Sequence, residues 1–166
     1  MLSKAMQDAI NEQIKNELYS AYLYLAMSNY FEEKNLGGFA NWLKVQFHEE
    51  QGHALKFMEY IHDRGGQVAL KAIDQPPAAW TTNLEVFKQV LEHEKKVTSL
   101  IYKLYELALK ENDYSTQLML AWFISEQVEE EKNAGEIIAQ LEMIDAHNTA
   151  VLMLDHDLGK RKPGGD

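Results

Sequence analysis

Cysteine is absent from the 166 residues, and this excludes disulfide bonds, thiolate zinc sites and cysteine-bound iron–sulfur clusters. Any metal site must therefore use carboxylate and imidazole ligands. Basic residues are also few, with 16 Lys and Arg against 26 Asp and Glu and a net charge of −10. Nucleic acid is not an expected partner, because phosphate binding depends on clustered basic side chains. The same charge attracts cations.

Long apolar runs are lacking as well. No segment approaches the roughly 20 residues that cross a bilayer, and the first residues lack the continuous apolar stretch of a secretory signal. We therefore expect a cytoplasmic protein with no membrane partner. The chain length and a hydrophobic content of 46% predict one domain spanning residues 1–166, with a packed core.

Proline is scarce, and two of the three prolines are adjacent at Pro76 and Pro77. The rest of the chain is free to be helical, and apolar residues recur at three- and four-residue steps over 4–34, 39–64, 83–111 and 115–145. Each of these helices would be roughly 40 Å long. A shorter fifth helix is expected at 147–158, followed by a flexible tail at 160–166. The predicted fold class is all-α.

The links between these helices predict the topology. The links at 35–38 and 110–115 are short, so the helices on either side of each should be antiparallel neighbours. The glycines of the first link suit a helix end. The middle link, 65–82, can stretch to roughly 55–60 Å, which allows the second and third helices to be parallel. We therefore expect an up-down-down-up four-helix bundle over 4–145, with one long crossover.

Polar side chains interrupt the apolar stripe of every long helix. Glu50 and His53 fall on the face that also carries Leu43 and Ala54, and Glu17 lies three residues after the apolar Ile14. Such positions point toward the bundle axis. The inward polar set is Glu17, Glu50, His53, Glu94, Gln127 and Glu130.

The spacing of this set repeats between the two halves of the chain. Glu17 precedes Glu50 by 33 residues, and Glu94 precedes Gln127 by the same 33. Glu17 also precedes His53 by 36 residues, the separation of Glu94 and Glu130. Two equivalent helical hairpins would bring all six side chains to one level of the bundle.

Four buried carboxylates repel one another unless cations are present. Four negative charges balance two divalent ions, which a carboxylate such as Glu50 can bridge. Oxygen-rich ligation with the single imidazole of His53 suits iron or manganese. Any one of these residues alone would be read as a surface or hydrogen-bonded core group. The remaining histidines, which we interpret as surface residues, are His48, His62, His93, His147 and His156.

Four stretches, NELYSAYLYLAM, HEEQGHALKF, HEKKVTSLIY and WFISEQVEEEKNAGEII, resemble the non-haem ferritins of bacteria, which belong to the di-iron carboxylate bundles. The resemblance implies that Glu17, Glu50 and His53 surround one iron. It implies that Glu50, Glu94 and Glu130 surround a second iron, with Gln127 alongside. It also implies a third, outer iron site that shares Glu130 and is otherwise formed by Glu49, Glu126 and Glu129.

The roles of two aromatic residues near these sites each allow two interpretations. Tyr24 lies seven residues after Glu17, and the resemblance suggests that it contacts the centre or donates an electron. Trp122 lies four residues before Glu126 and is either redox-active or a packing residue. A core tyrosine or tryptophan would produce the same pattern.

The resemblance implies a ferroxidase that oxidises Fe(II) with O2 or H2O2 and stores Fe(III) as a mineral. It implies a hollow homo-oligomeric shell of 24 subunits, with the fifth helices meeting at four-fold axes. Haem is not expected, because Gln51 occupies the position of the haem-ligating methionine of bacterioferritins. Two alternatives remain: a di-metal redox enzyme that retains its ions, and a structural bundle without metal. The particle mass and the metal content distinguish them.

Overall fold

In a computed structural model that describes residues 2–144 and 148–164, the chain forms five helices and no strand. The helices are α1 (Lys4–Glu33), α2 (Gly37–Asp63), α3 (Asn83–Lys110), α4 (Tyr114–Ile144) and α5 (Asn148–Leu158). This confirms the predicted all-α class and the fifth helix. The predicted positions 145–147, including His147, lie outside the described residues, as do the last two positions of the predicted tail.

The helices pair as the links predict, α1 with α2 and α3 with α4, and α1 also packs against α3. The long crossover between α2 and α3 is fixed to α1 by side-chain amides. Asn11 donates to the carbonyl oxygen of Gln67 at 3.0 Å and accepts from the amide of Ala69 at 2.8 Å. These bonds hold the start of the crossover against the bundle.

Three of the long helices begin with a local N-terminal cap, which satisfies backbone amides that have no partner within the helix. Ser3 Oγ accepts from the Met6 amide at 3.0 Å, and Thr82 Oγ1 accepts from the Glu85 amide at 3.0 Å. Asp113 serves α4 in the same way by accepting from the Thr116 amide at 3.1 Å.

The start of α2 is capped from a distance. Leu36 offers no capping side chain, and Asp155 of α5 instead accepts hydrogen bonds from the amides of Gly38 and Phe39 at 2.8 and 2.9 Å. A Cβ atom at Gly38 would lie 1.6 Å from the carbonyl oxygen of Asp155. The glycine therefore permits the close approach of α5, and does not serve the helix end that the sequence suggested.

The two short turns use asparagine where the chain needs a left-handed backbone. Asn35 has a φ of 58° and Asn112 a φ of 54°. Asparagine tolerates this conformation better than most residues with a side chain. Both turns reverse the chain between antiparallel helices without a glycine at the left-handed position.

The core is divided into two apolar clusters along the bundle. One contains the stacked rings of Phe31 and Phe39, 4.9 Å apart. The other contains Phe57 and Phe123, stacked at 4.0 Å. On each long helix, the inward polar residues lie between the residues of the first cluster and the residues of the second. Within the described part of the chain, no helix is both long and apolar enough to cross a bilayer.

Candidate metal centre

The polar layer between the two apolar clusters contains every residue of the predicted inner site. α1 contributes one carboxylate, α2 a carboxylate and an imidazole, α3 a carboxylate, and α4 an amide and a carboxylate. None of these side chains is more than 6% exposed. They are Glu17, Glu50, His53, Glu94, Gln127 and Glu130.

Three of these side chains converge on one point. Ligand atoms of Glu17, Glu50 and His53 all lie within 4.8 Å of one another. Glu17 Oε2 and Glu50 Oε2 are buried without a hydrogen-bond partner, although His53 Nδ1 lies 3.4 Å from the latter atom. Buried carboxylate oxygens are normally hydrogen-bonded or bound to cations. The donor set therefore suits a divalent ion that prefers oxygen and tolerates one imidazole.

The remaining inner residues are held by hydrogen bonds. Gln127 Nε2 donates to Glu94 Oε2 at 3.0 Å and to the Glu94 carbonyl oxygen at 3.1 Å. The hydroxyl of Tyr24 donates to Glu94 Oε1. Among the described residues, the second expected group, Glu50, Glu94 and Glu130, does not converge within 4.8 Å as the first does. These hydrogen bonds orient the Glu94 carboxylate toward Gln127 and Tyr24.

The sequence patterns did not identify two glutamines that belong to the polar layer. Gln13 Nε2 donates to Glu17 Oε1 at 2.8 Å, and Gln46 Nε2 donates to Glu130 Oε2 at 2.8 Å. Each glutamine lies one helical turn before a glutamate, and the two are 33 residues apart, like Glu17 and Glu50. That shared spacing is the signal that could have identified them.

Burial and mutual repulsion raise the pKa values of the inner carboxyl groups. The pKa of Glu17 is raised by burial and by the charge of Glu50. The pKa of Glu50 is raised by burial and by the charges of Glu94 and Glu130. Burial, with the charge of Glu94, raises the pKa of Glu130 to about 8. These groups favour the protonated form, and bound cations would favour the charged form.

Tyr24 is fully buried against the same layer. Burial and the adjacent Glu94 raise the pKa of its phenol well above the usual value, so it stays protonated and able to donate its hydrogen bond. The ring also meets the edge of His93 at 5.9 Å. Tyr24 thus touches the predicted ligand set directly, on the side where α1 meets α3.

His93 is not the surface residue that the sequence suggested. Its Nε2 lies 2.8 Å from Ser20 Oγ on α1, and its ring packs against Tyr19. Burial, together with the charge of Lys96, lowers the pKa of His93 to about 4. His93 directly precedes the inward Glu94 and lies where α3 packs against α1, which brings its ring against Ser20 and Tyr19.

Trp122 lies beside the inner group. Its ring centroid is 5.5 Å from that of His53, and Lys56 Nζ lies 3.3 Å from the Trp122 ring centroid. A cation over the ring is attracted to its electron-rich face. Removing an electron from the indole would oppose this contact, so Lys56 disfavours oxidation of Trp122.

The residues of the predicted outer site border a cleft between α4 and the C-terminal segment. The cleft has a volume of about 1290 Å³, and Glu49, Glu126, Glu129 and Glu130 are among its lining residues. These carboxylates do not gather within the 4.8 Å that marks the inner group, as far as the described residues show. Glu49 is instead engaged by Arg161, a residue that no sequence pattern indicated.

Comparison with protein families gives a match over most of the chain. Residues 7–144 match the Ferritin family, described as the ferritin-like domain. The chain is 44% identical over 161 residues to the bacterial non-heme ferritin of Bacteroides fragilis, covering 97% of this chain and 100% of that protein. It is 37% identical to the bacterial non-heme ferritin of Staphylococcus aureus, covering 97% of each.

Solved structures agree with these sequence matches. The fold is similar to an open pore ferritin from the archaeon Archaeoglobus fulgidus, with a TM-score of 0.97 and 44% identity, covering 98% of this chain and 100% of that one. It is also similar to a humanized archaeal ferritin, with a TM-score of 0.97 and 42% identity over 98% of each chain.

Proposed function

The chain belongs to the ferritin family, and from that premise we propose that its buried polar layer is the ferroxidase centre. The protein is an iron-storage protein that oxidises Fe(II). In our proposal Glu17, Glu50 and His53 hold one Fe(II) ion, and Glu50, Glu94 and Glu130 hold a second, with Gln127 alongside. The observation that carries this assignment is the convergence of Glu17, Glu50 and His53 in a buried layer, with two carboxylate oxygens that lack hydrogen-bond partners.

The charge of the layer explains how iron would bind and then leave. Four carboxylates neutralise two Fe(II) ions, which are the substrate. When each ion gives one electron to the oxidant, two positive charges are added that the protein cannot balance. The product ions then take hydroxide or oxide from water and release the protons to solvent, which restores neutrality and weakens the hold of the carboxylates. This favours turnover and transfer to the mineral.

The hydrogen-bonded neighbours would orient the ligands. Gln13 fixes one oxygen of Glu17 and leaves the other free for the ion. Gln46 restrains Glu130 from α2. Tyr24 restrains Glu94, and its place at a ligand is compatible with electron donation as well as with packing. Holding ligands in place before the substrate arrives reduces the entropy lost on binding.

We propose that Glu49, Glu126 and Glu129, with Glu130, form a third, outer iron site. Their position along one cleft supports this. The shared residue Glu130 provides a path between the inner and outer ions. We further propose that the chain binds no haem, because Gln51 offers no thioether sulfur.

The protein binds iron and assembles with copies of itself. We propose a shell of 24 subunits and an oxidant that is O2 or H2O2. We also propose that residues 1–166 form one domain, since α5 packs against α2 and α4. Fe(II) persists in reducing surroundings, so the proposed location is the cytoplasm.

Paired substitutions of adjacent residues test the assignment of the centre. Glu50→Ala removes the proposed bridging ligand, and Glu49→Ala removes the neighbouring carboxylate, about 100° around the helix. Stopped-flow absorbance at two Fe(II) per chain in air should show fast oxidation in Glu49→Ala and its loss in Glu50→Ala. Equal loss in both variants would mean that the inner and outer ligands are wrongly assigned.

A further inference from the structure

The segment after α5 places a positive charge on an outer carboxylate. Arg161 Nη2 lies 2.7 Å from Glu49 Oε2. The side chains of Arg161 and Glu49 are only 17% and 26% exposed, so water screens this pair less than it screens a surface pair. The contact joins positions 112 residues apart in the sequence.

Arg161 is fixed in place by more than its ion pair. Its guanidinium carbon lies 4.5 Å from the ring centroid of Trp42, and Nη1 donates to the carbonyl oxygen of Trp42 at 3.4 Å. Its own carbonyl oxygen accepts from Asn41 Nδ2 at 3.1 Å. Arginine stacks on aromatic rings and donates from a rigid plane. These contacts pre-position the charge at the mouth of the cleft.

The segment that carries Arg161 is anchored upstream. Asp155 caps the start of α2 through the amides of Gly38 and Phe39, and the absence of a Cβ at Gly38 permits this approach. Docking of α5 and the position of Arg161 are therefore parts of one arrangement.

We propose that Arg161 acts as a counter-cation of the outer site. Its guanidinium, held in place by the C-terminal segment, stays paired with Glu49 until an Fe(II) ion displaces the guanidinium. This rests on the outer-site assignment proposed above. Two cations cannot share one carboxylate without repelling each other. The docked C-terminal segment therefore sets the affinity of the outer site, and an ion bound there weakens the docking in return.

This arrangement distinguishes the outer site from the inner one. Glu17 Oε2 and Glu50 Oε2 have no hydrogen-bond partner, whereas Glu49 Oε2 is already paired with a guanidinium. Iron should therefore occupy the inner positions first. The outer position fills when the local Fe(II) concentration is high enough to compete with the guanidinium, and it releases its ion more readily.

Zn²⁺, which does not change its oxidation state, serves as the probe. Isothermal titration of the iron-free, assembled protein with Zn²⁺ should resolve a class of sites that Glu49→Gln removes. For that class, Arg161→Gln should tighten binding about fivefold or more. Lys162→Gln is the matched control, because Lys162 lines the same cleft one residue away. Loss of this more distant charge should change the affinity less than about twofold at physiological salt.

Arg161→Lys keeps the charge and loses the planar donor geometry, so its affinity should lie between those of wild type and Arg161→Gln. An unchanged or weaker affinity in Arg161→Gln, with helix content and assembled mass preserved, would overturn the proposal. So would an equal gain in Lys162→Gln. The absence of any class that depends on Glu49 would overturn it together with the outer site. Iron storage itself is measured separately by retained iron, so the two failures are distinguishable.

Discussion

Four glutamates in one buried layer oppose folding when they are charged and no cation is present. Each has a pKa raised by burial. A carboxyl group with a raised folded-state pKa binds protons more tightly in the folded than in the unfolded state. Its destabilising effect is therefore small below the unfolded value of 4.5, grows as the pH rises above that value, and levels off above the folded value, about 8 for Glu130.

Glu50→Gln should raise the thermal stability of the iron-free protein while abolishing rapid oxidation. Glutamine preserves the side-chain volume and removes the charge that faces Glu17, Glu94 and Glu130. At pH 7.5 in chelator, we expect a melting temperature about 3 °C or more above wild type. At pH 5 the gap should shrink, because the pH then lies close to the unfolded value of 4.5 and little free energy separates protonation in the folded state from ionisation in the unfolded state.

Divalent metal should close or reverse this gap, because an ion that binds only the folded wild type stabilises it by mass action. Scanning calorimetry of both proteins in chelator and in Zn²⁺ measures both effects. A lower melting temperature for iron-free Glu50→Gln at pH 7.5 would show that these carboxylates do not repel one another in the folded protein.

The inward residues could be selected from the sequence because a buried glutamate breaks an apolar helical stripe, and because the break recurs at 33 and 36 residues. The hydrogen bonds between helices could not be predicted in this way. Gln46 and Glu130 are 84 positions apart, and no periodicity within one helix reveals which partner it meets. His93 and Arg161 were missed for the same reason, since each is defined by contacts with another element.

At the scale of elements, α5 is joined to α2 by a backbone contact that tolerates no side chain. This contact, which we call the interlock, combines the helix cap from Asp155 with the absence of a Cβ atom at Gly38. It orients both the last helix and the arginine that follows it. At the neighbouring Gly37, a Cβ atom would have nothing within 4 Å, so this residue provides a matched control.

Gly38→Ala should displace α5, whereas Gly37→Ala should not. Alanine at Gly37 gains helix propensity of about 0.5–1 kcal/mol, and alanine at Gly38 meets the Asp155 carbonyl. We expect faster amide hydrogen exchange across 148–158 in Gly38→Ala and unchanged exchange in Gly37→Ala. Identical exchange in the two variants would exclude the interlock as the anchor of α5.

The helix bounds could be predicted within two residues for the four long helices, because their apolar repeats are long and prolines are few. The turns were less well predicted. The glycines suggested a helix end at 35–38, but Asn35 adopts the left-handed conformation there, and Gly37 and Gly38 lie at the start of α2. The packing reason for Gly38 comes from α5, which is remote in sequence.

At the scale of the whole molecule, α5 buries one side and exposes the other. Leu154 and Leu158 join the apolar cluster near the start of α2, while Leu152 and Met153 are 58% and 68% exposed. An exposed apolar face on a terminal helix is expected to be covered by another copy in the proposed shell.

Leu152→Glu should therefore reduce the assembled mass. Charges brought together where fifth helices meet would repel and lose water, which opposes association. Light scattering after size exclusion should show smaller species than wild type. Leu55→Glu, at a leucine on α2 that is 63% exposed, controls for the change from leucine to glutamate. An unchanged mass in Leu152→Glu would remove the fifth helix from the proposed contacts.

The amount of iron that each chain retains distinguishes storage of oxidised iron from catalysis by a fixed metal pair. Fe(II) is added stepwise in air while ferric absorbance is followed, and the protein is then separated from free iron by gel filtration. We expect absorbance and retained iron to keep rising together, far beyond the two or three ions that the inner and outer carboxylates can bind. A plateau at two ions per chain would contradict it and would indicate a redox enzyme that keeps its metal pair.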